Sequence, residues 1–145
     1  MSVSAVIVDD EGRILAIGRR DNDHWEPPGG VLELAESILD GLVREVHEET
    51  GLIVVPDRLT GVYENMLPGI VALIFRCRIT DGKPTATAES YEGAWLTRSD
   101  IVERMAEAYA TRILDALANE TPAVRMHDGE RLTESWDAAA RGLAT

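Results

Sequence analysis

The sequence predicts an α+β fold built on a mixed β-sheet, and three observations predict it. Strand-like segments outnumber helical ones, and one long helical segment stands between pairs of them. With 145 residues, 45% of them hydrophobic, the chain is long enough for one ordinary core. A charged fraction of 28% is that of a globular protein and excludes wholesale disorder.

The elements follow in chain order. SVSAVIVDD (2–10) is rich in Val and Ile and reads as a strand; Asp10-Glu11-Gly12 turns the chain, and RILAIGRR (13–20) returns, so the two are expected to form a hairpin. Regular structure stops at DNDHWEPPGG. A helix is expected over about residues 36–50, with Gly51 as its C-terminal stop. LIVV is a strand cut by Pro56, LTGVYENM resumes it, and Pro68-Gly69 turns into the strand IVALIFRCRI. YEGAWLT (91–97) is a further strand, and Ser99 or Asp100 caps a helix over roughly 101–119. Thr121-Pro122 closes a domain of residues 1–121; residues 122–145 form a tail packed on the same domain, in which TESWDAAARG reads as a short helix.

The net charge of -12 opposes generic binding to a nucleic-acid polymer, which needs clustered Lys and Arg. If the ligand is itself anionic, a divalent cation must mediate. The single cysteine, Cys77, excludes an internal disulfide and reads as a packed strand residue. With no leader pattern and no long apolar run, the expectation is a cytoplasmic protein without a membrane partner.

One feature of the long helix is costly. Glu45, Glu48 and Glu49 fall within an arc of about 100°, at the border of the apolar stripe formed by Ile38, Leu39, Leu42, Val43 and Val46. Like charges so spaced destabilise a helix by about 0.2–0.5 kcal/mol per pair. A solvated acidic face is one account. A site for a hard cation is the other, since Mg²⁺ or Mn²⁺ takes oxygen donors. Arg44, one turn before Glu48, is placed to orient it by a charge-assisted hydrogen bond.

Gly30, Glu36, Arg44-Glu45-Val46, Glu48-Glu49 and Gly51-Leu52 stand at offsets that resemble a complete Nudix box, and the preceding WEPPGG resembles family members as well. The resemblance implies an α/β/α sandwich with a mixed sheet and a loop–helix–loop. It also implies Mg²⁺- or Mn²⁺-dependent hydrolysis of a nucleoside diphosphate linked to a further group. By position, Glu48 and Glu49 are then principal metal ligands, Glu45 a further ligand or the general base, and a carbonyl of Gly29-Gly30 completes the shell. Glu36 and Arg44 brace the loop–helix–loop. Glu89, six residues before Trp95, joins Glu45 and Glu48 as a catalytic candidate, with Glu92 nearby as a substrate contact.

Arg19 and Arg20 are candidates for phosphate, and Trp25 and Tyr63, with Asn65 and Phe75 behind them, for the nucleobase. His24 and His127 read as polar loop residues. A (deoxy)nucleoside triphosphate, cleaved to the monophosphate, is the substrate placed first. ADP-ribose or a nucleotide sugar is the alternative, because Pro68 lies sixteen residues past Leu52, where a proline accompanies ADP-ribose hydrolysis in the family. A non-catalytic nucleotide-binding module is the second alternative. Family members are often homodimers, so a homodimer is expected.

Overall fold

The computed structural model describes residues 1–19, 24–83 and 91–136. Among them the strands are β1 (Ser2–Ile7), β2 (Ile14–Arg19), β3 (Trp25–Glu26), β4 (Gly29–Val31), β5 (Ile53–Asn65), β6 (Ile70–Asp81), β7 (Tyr91–Leu96), β8 (Ala123–His127) and β9 (Leu132–Trp136). The helices are α1 (Ile38–Thr50), α2 (Arg98–Arg104) and α3 (Glu107–Ala118). Six strands form one mixed sheet in the order β4-β1-β6-β5-β8-β9, and a smaller sheet runs β3-β2-β7. This is the expected α+β architecture.

The larger sheet is packed on both faces, and its inner strands β1 and β6 carry long apolar stretches, AVI and IVALIF. Alternation along β1 sends Val3, Ala5 and Ile7 toward α1, where they meet Leu42, Val46 and Leu52. Val6 points the other way, into a core shared with Ala72 and Ile74 of β6, Ile101 of α2, Ile113 of α3 and Ile14 of the smaller sheet. Leu42 and Val46 are wholly buried, and each contributes about 2 kcal/mol by leaving water. Helix α1 is delimited locally: the Ser37 hydroxyl accepts from the Asp40 amide at 3.1 Å, and Gly51, at φ 79°, donates to the His47 carbonyl.

Four expectations are corrected. The hairpin of the first two strands does not form, since β1 gives one edge to β4 and the other to β6. Only the bridge Val8–Ile14 joins it to β2, which pairs with β3 and β7 instead. Pro56 does not cut its strand; β5 runs through it opposite Cys77, and the missing N–H is absorbed by a register shift between Pro56 and Arg58.

The expected single helix over 101–119 is two. Thr97 caps the first, in reciprocal hydrogen bonds with Asp100, and the chain is extended at Met105 before α3 begins. There the Ala108 amide donates to the Glu130 carbonyl rather than back along a continuous helix. Finally, residues 133–136 of the expected tail helix lie in strand β9, paired with β8; residues from 137 on lie outside those described. Pairing with β8 outweighs local helix preference, helped by Thr133 and Trp136, which favour a pleated surface.

Candidate active site

Glycines 29 and 30 let two parts of the chain approach more closely than side chains would permit. In β4, Gly29 lies opposite Ser4 and Gly30 opposite Val3. A Cβ at Gly29 would overlap the Val3 carbonyl, and one at Gly30 would run into the Glu45 carboxylate. The backbone of β4 is thereby laid directly against the acidic edge of α1.

Arg44 organises that edge. It grips Glu36 with two hydrogen bonds, Nε to Oε2 at 2.6 Å and Nη2 to Oε1 at 2.9 Å. Its Nη1 also donates to Glu45 Oε1 at 3.0 Å and Glu48 Oε2 at 3.2 Å, and Nη2 reaches the Val31 carbonyl at 3.4 Å. The guanidinium beside Glu36 holds that carboxyl down at about 2, assisted by the Glu33 amide. Glu49 is turned instead toward the Gly29 amide, 3.5 Å away. Burial first, and then the charges of Glu45, Glu26 and Glu48, push its pKa up to about 8.

By chemical type these donors fit a hard divalent cation: three carboxylates and the carbonyls of Gly29 and Gly30, all oxygen. Among the described residues, however, no three acidic, His or Cys side chains converge on one point. Arg44 holds Glu45 and Glu48, while Glu49 is turned to the Gly29 amide. Glu48 is 57% exposed, so its side chain has room to turn.

A cavity of about 220 Å³ opens beside the two glycines and extends to α3. Its walls include Glu26, Asn65, Tyr109 and Arg112. Of these only Asn65 was named from the sequence. Tyr109 and Arg112 lie three apart on α3 and so share a face. An arginine inside the largely apolar run AYATRILDALA, one turn from Tyr109, was the available signal.

The other candidates are dispersed. Arg19 ends β2 opposite Tyr91, and Glu92 is exposed on β7, separated from β3 by β2. Arg20 and Glu89 lie outside the described residues. Two aromatic expectations are corrected. Trp25 is only 7% exposed and belongs to the core, its ring lying against Gly18 where a Cβ would come within 2.8 Å. Tyr63 is wholly buried and donates its hydroxyl to Asp115 Oδ2 at 2.6 Å, while Asp115 also accepts two 2.7 Å hydrogen bonds from Arg125. Neither ring presents a face to a ligand. Phe75 packs beside the α1-side core. His127 is no loop residue but a buried member of β8, and His24 sits edge-on to Tyr109.

Comparison with known proteins adds what geometry alone does not. A family model described as the NUDIX domain matches residues 1–117. The chain belongs to the Nudix family. A MutT-like protein of Streptomyces ambofaciens is 54% identical over 132 residues, spanning 91% of this chain and 86% of that protein. The human 8-oxo-dGDP phosphatase NUDT18 is 35% identical over 106 residues, which are 68% of this chain and 32% of the human protein. The crystal structure of MutT from Bacillus halodurans superposes with a TM-score of 0.72 at 21% identity, covering 93% of this chain and 95% of that one; at that identity it speaks for the fold. The protein is thus a Nudix hydrolase, an enzyme of a pyrophosphohydrolase family that acts on small nucleotide compounds and generally uses divalent metal ions. No helix among the described residues of this Nudix hydrolase is long and apolar enough to cross a membrane.

Proposed function

We propose that this Nudix hydrolase cleaves (deoxy)nucleoside triphosphates to monophosphates with Mg²⁺ or Mn²⁺. The observation that carries the reading is the laying of Gly29-Gly30 against Glu45 and Glu49 at the mouth of a cavity sized for one ring system.

Glu48, Glu49 and Glu45, with a carbonyl of Gly29 or Gly30, would hold the cation. A bound divalent ion neutralises phosphate charge and lowers the pKa of a water. Arg44, fixed by Glu36, positions Glu45 and Glu48, which would serve the ion. Glu45 or Glu89 accepts the proton of the attacking water. Arg19 or Arg20 forks onto phosphate oxygens, and Glu92 contributes at the edge of β7. With a net charge of -12, the protein needs this mediation to take an anionic substrate. The turn at 66–69, with Gly69 at φ 71°, accounts for Pro68 without a role in ADP-ribose recognition.

The same reading takes residues 122–145 as part of the one domain, and the enzyme as a cytoplasmic homodimer. A substrate panel tests the proposal: nucleoside triphosphates, ADP-ribose and nucleotide sugars, each with Mg²⁺ or Mn²⁺, with products identified. Monophosphate released fastest from triphosphates is expected. Faster turnover of ADP-ribose or a nucleotide sugar would replace the proposed substrate class.

A further inference from the structure

Arg112 is 7% exposed and lines the cavity, yet one of its buried donors lacks an acceptor. Its Nε is buried without a hydrogen-bond partner, and among the described residues it forms no ion pair. The contact that remains is with His127, whose Nε2 stands 3.1 Å from Nη2. The other nitrogen of that ring, Nδ1, accepts from the Gly129 amide at 3.0 Å. A neutral ring that accepts at Nδ1 carries its proton on Nε2, so two N–H groups face each other. Burial and the charge of Arg112 lower the His127 pKa and keep the ring neutral. His127 therefore does not satisfy Arg112.

Burying a guanidinium without acceptors is expensive. The side chain is nevertheless held in place, its Cζ 4.8 Å from the ring centre of Tyr109 and 5.4 Å from that of Tyr63. Its planar guanidinium is a fixed donor fork in the cavity wall. Glu26, held by His24 at 3.0 Å, brings a carboxylate acceptor to the same walls.

We infer that Arg112 is a specificity-determining residue that forks onto the adjacent O6 and N7 acceptors of a guanine-type base seated in this cavity, with Glu26 taking the ring N–H donors. The inference rests on the proposed nucleotide substrate and names its base. Arginine matches paired acceptors and has none of its own, so the N6 amino group of adenine would face donors with a donor. Cytosine meets the same conflict at its amino group. A 6-oxopurine supplies acceptors to Arg112 and donors to Glu26 from a single ring system.

The test compares kcat/KM for GTP, ITP, 7-deaza-GTP and ATP in the wild type and in Arg112→Lys, which keeps the charge and loses the fork. Melting temperatures establish that both are folded. The wild type is expected to favour GTP and ITP over ATP by about 10- to 100-fold, with 7-deaza-GTP between. In Arg112→Lys the GTP-to-ATP ratio is expected to collapse toward one, chiefly through KM. A wild-type ratio near one, a preference for UTP, or a ratio that survives the substitution would overturn the inference. Calorimetry of GMP against AMP, without turnover, separates this from the proposed function. If GMP binds tighter and only in the wild type while no triphosphate is cleaved, the base assignment stands and the proposed reaction fails. Equal binding of GMP and AMP sinks the assignment whatever the enzyme cleaves.

Discussion

Arg44 and Glu36 form a two-pronged pair at 2.6 and 2.9 Å across eight residues of chain, joining the loop before α1 to the helix itself. The remaining donors of Arg44 then reach Glu45 and Glu48. One guanidinium thus ties the loop to two of the candidate metal ligands. Glu36→Gln removes the charge that anchors it and frees Arg44 to compete for Glu45 and Glu48. Metal affinity or turnover is expected to fall about 10- to 100-fold, read as the Mg²⁺ dependence of the rate. Unchanged Mg²⁺ dependence would remove the bracing role.

The two glycines predict different outcomes for the same substitution. In Gly30→Ala the new methyl meets the end of the Glu45 side chain, which can swing away; turnover is expected to drop at least about 10-fold with a small change in melting temperature. In Gly29→Ala the methyl meets the Val3 carbonyl and Ser4 backbone, so strands must separate. That variant is expected to lose about 1–3 kcal/mol or more of stability. Thermal melting and activity of the pair, measured together, check both.

Glu49 makes the metal-free protein sensitive to alkali. Its pKa is raised in the fold to about 8 from an ordinary 4.5, chiefly by burial. The folded state therefore binds more protons than the unfolded one between these values, and stability falls as pH rises from about 4.5 to about 8. In Glu49→Gln this part of the loss disappears. Melting in chelator from pH 5 to pH 8 is expected to give a flatter profile for the variant, and the same slope in both proteins would contradict the assignment.

Asp115 stands at the junction of β5, α3 and β8, accepting from Tyr63 and twice from Arg125. Asp115→Ala leaves a buried hydroxyl and a partly buried guanidinium without their acceptor, at a cost of about 3 kcal/mol. Tyr63→Phe, which removes one donor and leaves the ion pair, costs about 1 kcal/mol. Denaturant unfolding of both variants measures the difference; similar losses would show that the hydroxyl, not the ion pair, ties β8 to the fold.

Local chemistry was legible before the fold was known. The C-terminal stop of α1 at Gly51 and the run of acids on its edge depend on residues within a few positions of one another, whereas the Ser37 cap emerged only in the structure. The burial of Trp25 and Tyr63 was not legible, because the same aromatic residue serves as a core or a binding face according to what covers it. The sequence pointed to Glu36 and Glu48 as partners of Arg44, but not to its simultaneous hold on Glu45 and approach to Glu33.

Read along the chain, the protein determined its own acid spacing, the glycine stop of its long helix, its close-approach glycines and its family, since all of these are patterns of near neighbours. Which strands pair was decided only in three dimensions, where β1 had two edges and β4 and β6 claimed both. The cavity belongs to that second kind of fact. Glu26, Asn65 and Arg112 come from separate parts of the chain, and only the closure of the sheet against α3 sets a guanidinium with an unpartnered Nε in the same cavity wall as the glycines of the box.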